Sequence, residues 1–286
     1  MSESTATSSN GASANGSAPP EGERLRLGGM ALRNGLLIHG PTSWAVAARA
    51  ADGQIEVASG PKPSLARGRL ATTPLLRGPL RLAEAMAIVP LARMRLGSAR
   101  LPFEDPVVVG VVAASVVGSS LLRRRGPATV GRELAIALIG ALPALAALRD
   151  PALASYHAVE HKAIGGYEQG REPEEVPKEH QRCGSNLIFP MLAFSIAGQV
   201  LTERLFDDPG PLARGIAALA GVGGAVELFV FAERNPGSPM ARAVHGPGYE
   251  IQRLVSTREP SPEQLEVGVA ALQEVLRVEQ VAADTV

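Results

Sequence analysis

The sequence predicts a mainly α-helical membrane protein with about four apolar helices, a small N-terminal β-element and further helical segments in the cytosol. Three observations carry this prediction. Four long segments hold almost no charge, aromatic residues make up only 3% of the chain, and the basic residues concentrate outside those segments. Small apolar side chains suit closely packed membrane helices, whereas a soluble core of this size would recruit more Phe, Tyr and Trp.

The N-terminal part divides at residue 24. Residues 1–23 are polar and without periodicity, which predicts a disordered tail, and they lack the basic and apolar regions of a signal peptide. Residues 24–100 are expected to form a cytosolic unit. Within it, residues 44–49 and 54–58 alternate as strands around Asp52-Gly53, a pair that favours a β-hairpin.

A helix is predicted over residues 75–96, with apolar residues on one face and Arg residues elsewhere. Its basic end fits the anionic surface of a membrane. The same pattern fits a helix packed on the rest of the protein, and the sequence does not separate the two.

The four apolar segments define a predicted membrane bundle over residues 101–232. They cover residues 106–122, 134–148, 183–202 and 215–232. A bilayer core of roughly 30 Å needs about 20 apolar residues in a helix. The first two segments, with 17 and 15 residues, are short by this measure.

The distribution of basic residues predicts the orientation. Twelve Arg and Lys residues lie between Arg24 and Arg100, and residues 149–182 and the C-terminal segment are also basic. The positive-inside rule therefore puts both termini and the 149–185 loop in the cytosol of a multi-pass bacterial membrane protein. Residues 123–125 and Arg132 oppose this, because they occupy the loop expected outside. The first two segments therefore either span or form a re-entrant or tilted hairpin.

The C-terminal segment, residues 233–286, is predicted to be cytosolic with an amphipathic helix over residues 261–280. Ser261 and Gln264 have the spacing of a capping box, and Pro262 suits the first helical turn. A stripe of apolar residues follows at helical spacing. We expect this helix to fold back onto the other cytosolic elements.

Chemistry is indicated by the segment 156–162, YHAVEHK. His157 and His161 are four residues apart and share a helical face, as two ligands of one metal ion must. Glu160 lies one turn from His157 and could be the general base, in the inverted H-x-x-E-H order. His180 and Cys183 follow within the same loop and are further candidate ligands. Two His, a third His or Cys, and an adjacent Glu would suffice for zinc or another divalent first-row metal ion.

Two acidic residues are additional candidate ligands. Glu168 shares the face of His157 and His161 if the helix continues through Gly165-Gly166. Glu227 is a carboxylate within an apolar segment, where charge is costly and usually functional. It could complete the metal site, pair with an Arg, mark a transport path, or reach water at the membrane edge.

Several classes of partner are not expected. The formal net charge is zero, whereas nucleic-acid binding needs a basic surface. No phosphate loop is present, and Cys183 as the single cysteine excludes an internal disulfide. Membrane lipid is the expected partner, and the oligomeric state stays open.

The sequence resembles the YqhQ-like family of bacterial membrane proteins, over most of residues 28–277. The motifs that carry the resemblance are the glycines at 28–29 and 40, residues 44–47, residues 156–162 with 167–168, residues 180–184, and residues 252–254 with 257–260. The resemblance implies a domain of unknown function that is often labelled a predicted metal-dependent enzyme. It also implies a Glu at the position of Glu227.

Three positions depart from that family pattern. The family usually has His at Gly165, Pro at Gln181 and Glu at Asn34. The first departure removes a candidate ligand one turn beyond His161, so the site of this chain could be reduced or inactive. Two functional hypotheses follow. One is a membrane-embedded metal-dependent hydrolase, and the other is a non-catalytic scaffold, sensor or transport component with a structural His/Cys cluster.

Overall fold

The computed structural model describes residues 24–65, 68–126 and 128–283, so the tail expected at residues 1–23 lies outside the described residues. An antiparallel sheet comes first, with the order β1-β2-β3-β4. Its strands are β1 (Gly28–Ala31), β2 (Gly35–His39), β3 (Ser43–Arg49) and β4 (Ile55–Pro61). The α-helices that follow are α1 (Arg77–Arg95), α2 (Pro106–Arg123), α3 (Val130–Ala147), α4 (Pro151–Gln169), α5 (Ile188–Leu205), α6 (Pro211–Arg234), α7 (Pro239–Ile251) and α8 (Pro262–Ala283).

The sheet is covered on both faces, which explains why β2 and β3 are almost continuously apolar. Leu36 and Ile38 point to the face covered by α4 and α8. Trp44 and Val46 point to the opposite face, which α1 covers. The predicted hairpin at Asp52-Gly53 is confirmed, since β3 pairs with β4 across it, but the sheet extends it by two strands.

Helix α8 confirms the predicted capping box. The Ser261 amide donates to Gln264 Oε1 at 3.0 Å, and the Gln264 amide donates to Ser261 Oγ at 3.4 Å. The helix folds back onto β2, β3, β4 and α4. Near its end, the buried carboxylate of Glu279 accepts hydrogen bonds from the backbone amides of Thr42 and Ser43 at 2.9 and 2.7 Å.

The helix predicted over residues 75–96 is present as α1, and it connects the sheet to α6. Its buried residues Ile88, Val89 and Ala92 pack on the sheet. At its start, the Arg77 guanidinium pairs with the Glu227 carboxylate of α6. Whether its exposed face also contacts lipid stays a prediction.

Helices α2, α3, α5 and α6 are long and apolar enough to cross a membrane, with α5 extended by the short turn before it. They overlap the four apolar segments of the sequence. Most of their side chains are exposed, as expected of helices surrounded by lipid tails. They pack as two hairpins, α2 with α3 and α5 with α6, and α3 contacts α5.

One ion-pair group holds the first hairpin against the sheet. Arg33, in the β1–β2 turn, lies 2.8 Å from the carboxylate of Asp150 and 3.5 Å from that of Asp105. Asp105 caps α2 and Asp150 caps α4, directly after α3 ends. Both ends of the hairpin therefore lie beside the sheet.

Glu279→Ala is expected to lower the free energy of unfolding by about 2–4 kcal/mol, because it leaves the backbone amides of Thr42 and of the buried Ser43 without their charged acceptor. Glu279→Gln keeps one acceptor oxygen and should lose less. Denaturant unfolding in detergent measures both. The exposed neighbour Gln280 supplies the control, since Gln280→Ala should change stability by no more than about 0.5 kcal/mol. Equal effects of Glu279→Ala and Gln280→Ala would contradict this role.

Candidate metal centre

Helix α4 carries the predicted motif and is buried along most of its length. Asp150 caps its first turn by accepting from the Ala152 amide at 3.0 Å, and Gly170, with φ of 66°, ends it. The helix continues through Gly165 and Gly166, where the surroundings leave no room for side chains. An added Cβ would lie 2.9 Å from Val176 Cγ1 and from the Arg171 carbonyl, respectively.

The two motif histidines are oriented by backbone carbonyls. His157 Nδ1 lies 2.8 Å from the carbonyl oxygen of Ser256, and His161 Nδ1 lies 2.6 Å from that of Lys178. A carbonyl only accepts, so each Nδ1 carries the proton and each Nε2 carries a lone pair. His157 Nε2 lies 3.3 Å from Cys183 Sγ. His161 Nε2 is buried and has no hydrogen-bond partner among the described residues.

These three side chains form a group that could hold a metal ion. The ligand atoms of His157, His161 and Cys183 lie within 4.8 Å of one another. Tetrahedral zinc with bonds of about 2.0 Å to nitrogen and about 2.3 Å to sulfur separates such ligands by about 3.5 Å. The unpartnered Nε2 atom and the fixed Nδ1 protons are the arrangement that metal-bound histidines adopt. The residues therefore fit a divalent metal ion.

Burial sets the protonation of this group. It lowers the pKa of His161 to about 2, so its ring is neutral at physiological pH, as a ligand must be. Burial also raises the pKa of the Cys183 thiol to about 11. In the metal-free protein Cys183 is therefore a thiol, and binding a metal ion would release its proton.

Glu160 lines the same cavity as His157 and Cys183, and its side chain contacts β1. A Cβ added at Gly29 would lie 2.7 Å from Glu160 Cγ and 2.8 Å from the Leu37 carbonyl oxygen. Only glycine fits there. Burial raises the pKa of the Glu160 carboxyl, while the nearby His157 and His180 act in the opposite direction.

The group opens into a cavity of about 600 Å³. His157, Glu160 and Cys183 line one wall of it. The end of α3 and the start of α5 supply apolar side chains to another wall, among them Ala147 and Ile188. The cavity thus joins the polar group to the ends of two helices that are long enough to cross a membrane.

The other predicted ligands lie around the group or away from it. The Glu168 carboxylate accepts from His180 Nε2 at 3.2 Å and pairs with Arg182, and the His180 ring stacks on His161 with centroids 5.7 Å apart. The structure does not bring Glu227 to the group. Its carboxylate pairs with Arg77 on α1, which matches the Arg-paired alternative weighed for it.

Several contributions to the site are not visible in the sequence. The acceptors for both histidines are backbone carbonyls, which no side-chain pattern marks. Gln252 is fully buried in the π-helical turn after α7, where its Oε1 accepts from the His180 amide at 2.7 Å. Its Nε2 donates to Ser185 Oγ at 2.9 Å. Residues 252–254 belong to the motifs of the family resemblance, and that was the one available signal.

The fold and the site define a class of mainly helical protein with four candidate membrane spans and a buried group of two histidines and one cysteine. The family model described as "Protein of unknown function (DUF1385)" matches residues 130–278, more than half of the chain. The chain belongs to this family. It is 32% identical over 133 residues to the uncharacterized protein YqhQ of Bacillus subtilis (strain 168), and the match spans 43% of this chain and 40% of that relative. The resemblance drawn from the motifs is thus confirmed. No solved structure matches.

Gln252→Leu is expected to lower the free energy of unfolding by about 1–3 kcal/mol, because it leaves the His180 amide without its acceptor and removes the donor to Ser185 Oγ, whose own bond to the Gly248 carbonyl remains. The matched control is Arg253→Leu, whose side chain is exposed and bonded to Glu250, its neighbour on the surface. Thermal unfolding in detergent compares the two. A loss no larger than that of Arg253→Leu would show that Gln252 does not hold this loop.

Proposed function

We propose that the protein is a metal-dependent hydrolase at the cytosolic face of a bacterial membrane. The observation that carries the proposal is the convergence of His157 Nε2, His161 Nε2 and Cys183 Sγ, with both Nδ1 atoms fixed by backbone carbonyls. Three protein ligands leave one position of a tetrahedral ion open, which is the pattern of catalytic rather than structural zinc sites.

The chemistry divides between the metal ion and Glu160. A divalent ion held by His157, His161 and Cys183 would polarise the substrate and a water molecule. Glu160 lies in the same cavity wall and would take the proton from that water and return it to the leaving group. A pKa raised by burial suits this role, because it brings the carboxyl nearer to neutral pH.

The cytosolic orientation follows from charge. The sheet, α4, α7 and α8 lie at the same ends of both hairpins, since Arg33 ties the first hairpin to the sheet and α7 packs on the turn before α5. These elements lie within residues 24–100, 149–182 and 233–286, and these three segments contain most of the Arg and Lys residues of the chain. The positive-inside rule then assigns them to the cytosol.

A non-catalytic function is the second candidate, and a specific observation favours it. The group connects α4 to the loop at Cys183 and to the turn at Ser256, so it could hold α4 in place, with or without metal. A scaffold, sensor or transport component would need nothing more from these residues.

The first experiment is elemental analysis of the detergent-purified protein beside His157→Ala/His161→Ala. We expect close to one metal ion per chain in the wild type and almost none in the double variant, because two of three ligands are lost. His245→Ala is the control, since His245 lies against Phe229 on α6 and outside the group, and it should keep the metal. A wild type that stays metal-free after reconstitution would overturn the hydrolase.

Glu160→Gln separates the two candidates. It should retain the metal and the fold but lower kcat by about 10²- to 10⁴-fold, because the amide cannot accept the proton. A screen of fluorogenic peptide and ester substrates on the wild type supplies the assay, and Gln169→Glu, an exposed change on the same helix, is the control. Unchanged turnover in Glu160→Gln would remove Glu160 from the mechanism.

A further inference from the structure

The cavity beside the metal group has a second wall, the outer edge of β1. Among residues 24–65, 68–126 and 128–283, β1 is the end strand of the sheet and pairs with β2 only. Residues 27–31, which include all of β1, line the cavity. A Cβ added at Gly29 would lie 2.9 Å from Glu160 Cδ, so the proposed catalytic carboxylate packs on the face of β1 and lines the same cavity as this edge.

The register shows which groups of β1 face the cavity. The Leu32 amide donates to the Gly35 carbonyl at 2.8 Å, and Met30 opposes Leu37 in the same ladder. Bonded pairs alternate along antiparallel strands. Met30 therefore bonds to β2, whereas Gly29 and Ala31 direct their N–H and C=O groups away from it. Two donors and two acceptors thus lie along the cavity wall.

We infer that the cavity binds an extended, apolar peptide segment, which adds a strand to the open edge of β1 and presents a peptide bond to the proposed metal group. The inference rests on the proposed function and names its substrate class. A strand would satisfy the edge of β1, since main-chain hydrogen bonds supply affinity when peptides add to sheets. An acyl chain would leave those four groups without partners.

The residues that line the cavity determine the length and polarity of the peptide that fits it. Apolar residues from the end of α3 and the start of α5 line the same cavity, among them Ala144, Leu148 and Ile188. The four residues of β1 span about 13 Å at a strand's rise of about 3.3 Å per residue. A segment of about four residues with apolar side chains therefore matches both length and chemistry.

The reaction on this substrate is peptide-bond hydrolysis. Water adds to the carbonyl carbon, and its proton passes to Glu160. The C–N bond then breaks, and the nitrogen leaves as an amine with the proton that Glu160 returns. The products are one chain ending in a carboxylic acid and one beginning with an amine, and transfer of the acid proton to the amine gives a carboxylate and an ammonium, with water as the only co-reactant.

Ala31→Pro tests the inference, because it removes one N–H from the open edge without touching the bonds to β2. Proline is tolerated on edge strands for this reason. The control is Val57→Pro on β4, the opposite edge. Val57 opposes Ala47 in a ladder where Ala50 and Gln54 are bonded, so its N–H also points outward.

Binding of a fluorescent, end-blocked hexapeptide of alternating Ala and Leu is measured on both variants and the wild type in nanodiscs. We expect Ala31→Pro to raise the Kd of the hexapeptide about tenfold, which is the effect of losing one hydrogen bond. Its metal content should be unchanged. Val57→Pro should bind as the wild type does. The same hexapeptide with every amide N-methylated should not bind.

Three results would overturn the inference. The first is that the wild type does not bind the hexapeptide, and the second is that Ala31→Pro binds it as tightly as the wild type does. The third is that a short-chain phosphatidylcholine displaces the hexapeptide equally well from the wild type and from Ala31→Pro, which would assign the cavity to lipid. Failure of the proposed function is distinct from these. Hexapeptide that binds through β1 but is not cleaved by metal-loaded wild type would retain the peptide site and remove the hydrolase.

Discussion

The hydrogen bonds from His157 and His161 to backbone carbonyls are the constraint on which the site depends. Lys178 precedes α5 and Ser256 follows α7. The two bonds therefore connect α4 to the segment before α5 and to the segment after α7. Each bond fixes a tautomer and aims an Nε2 lone pair inward. The same contacts that close the fold around α4 therefore also orient the candidate ligands.

Burial of α4 follows from this arrangement. A helix with two histidines, a glutamate and a lysine on it would be expensive to bury without partners for each. Lys162 is buried with such partners, since its ammonium pairs with Glu259 at 2.8 Å and donates to the Val176 carbonyl at 2.9 Å. The segments that cover α4 thus supply acceptors for His157, His161 and Lys162. Within the described part of the chain, the buried His161 Nε2 atom has no hydrogen-bond partner, and a metal ion would bind there.

Local patterns predicted the parts of this fold that depend on local interactions. The spacing of His157 and His161, the Ser261 capping box and the strand over residues 44–49 all depend on neighbours a few residues away. Two features could not be predicted. The pairing of Glu227 with Arg77 joins positions 150 residues apart, and the acceptors for the histidines are carbonyls that every residue possesses. The sheet was also underestimated, because β1 is only four residues long and contains two glycines.

The bridge from Arg33 to Asp105 and Asp150 has a mechanical consequence. Asp150 is both a partner of this guanidinium and the cap of α4, so the first hairpin, the sheet and the candidate metal helix meet at one side chain. A bilayer thinner than the hairpin would favour its tilting. That tilt would act on the first turn of α4 through the three-residue connection after α3, and Arg33 would pass it to the sheet, so local membrane thickness would reach the candidate ligands.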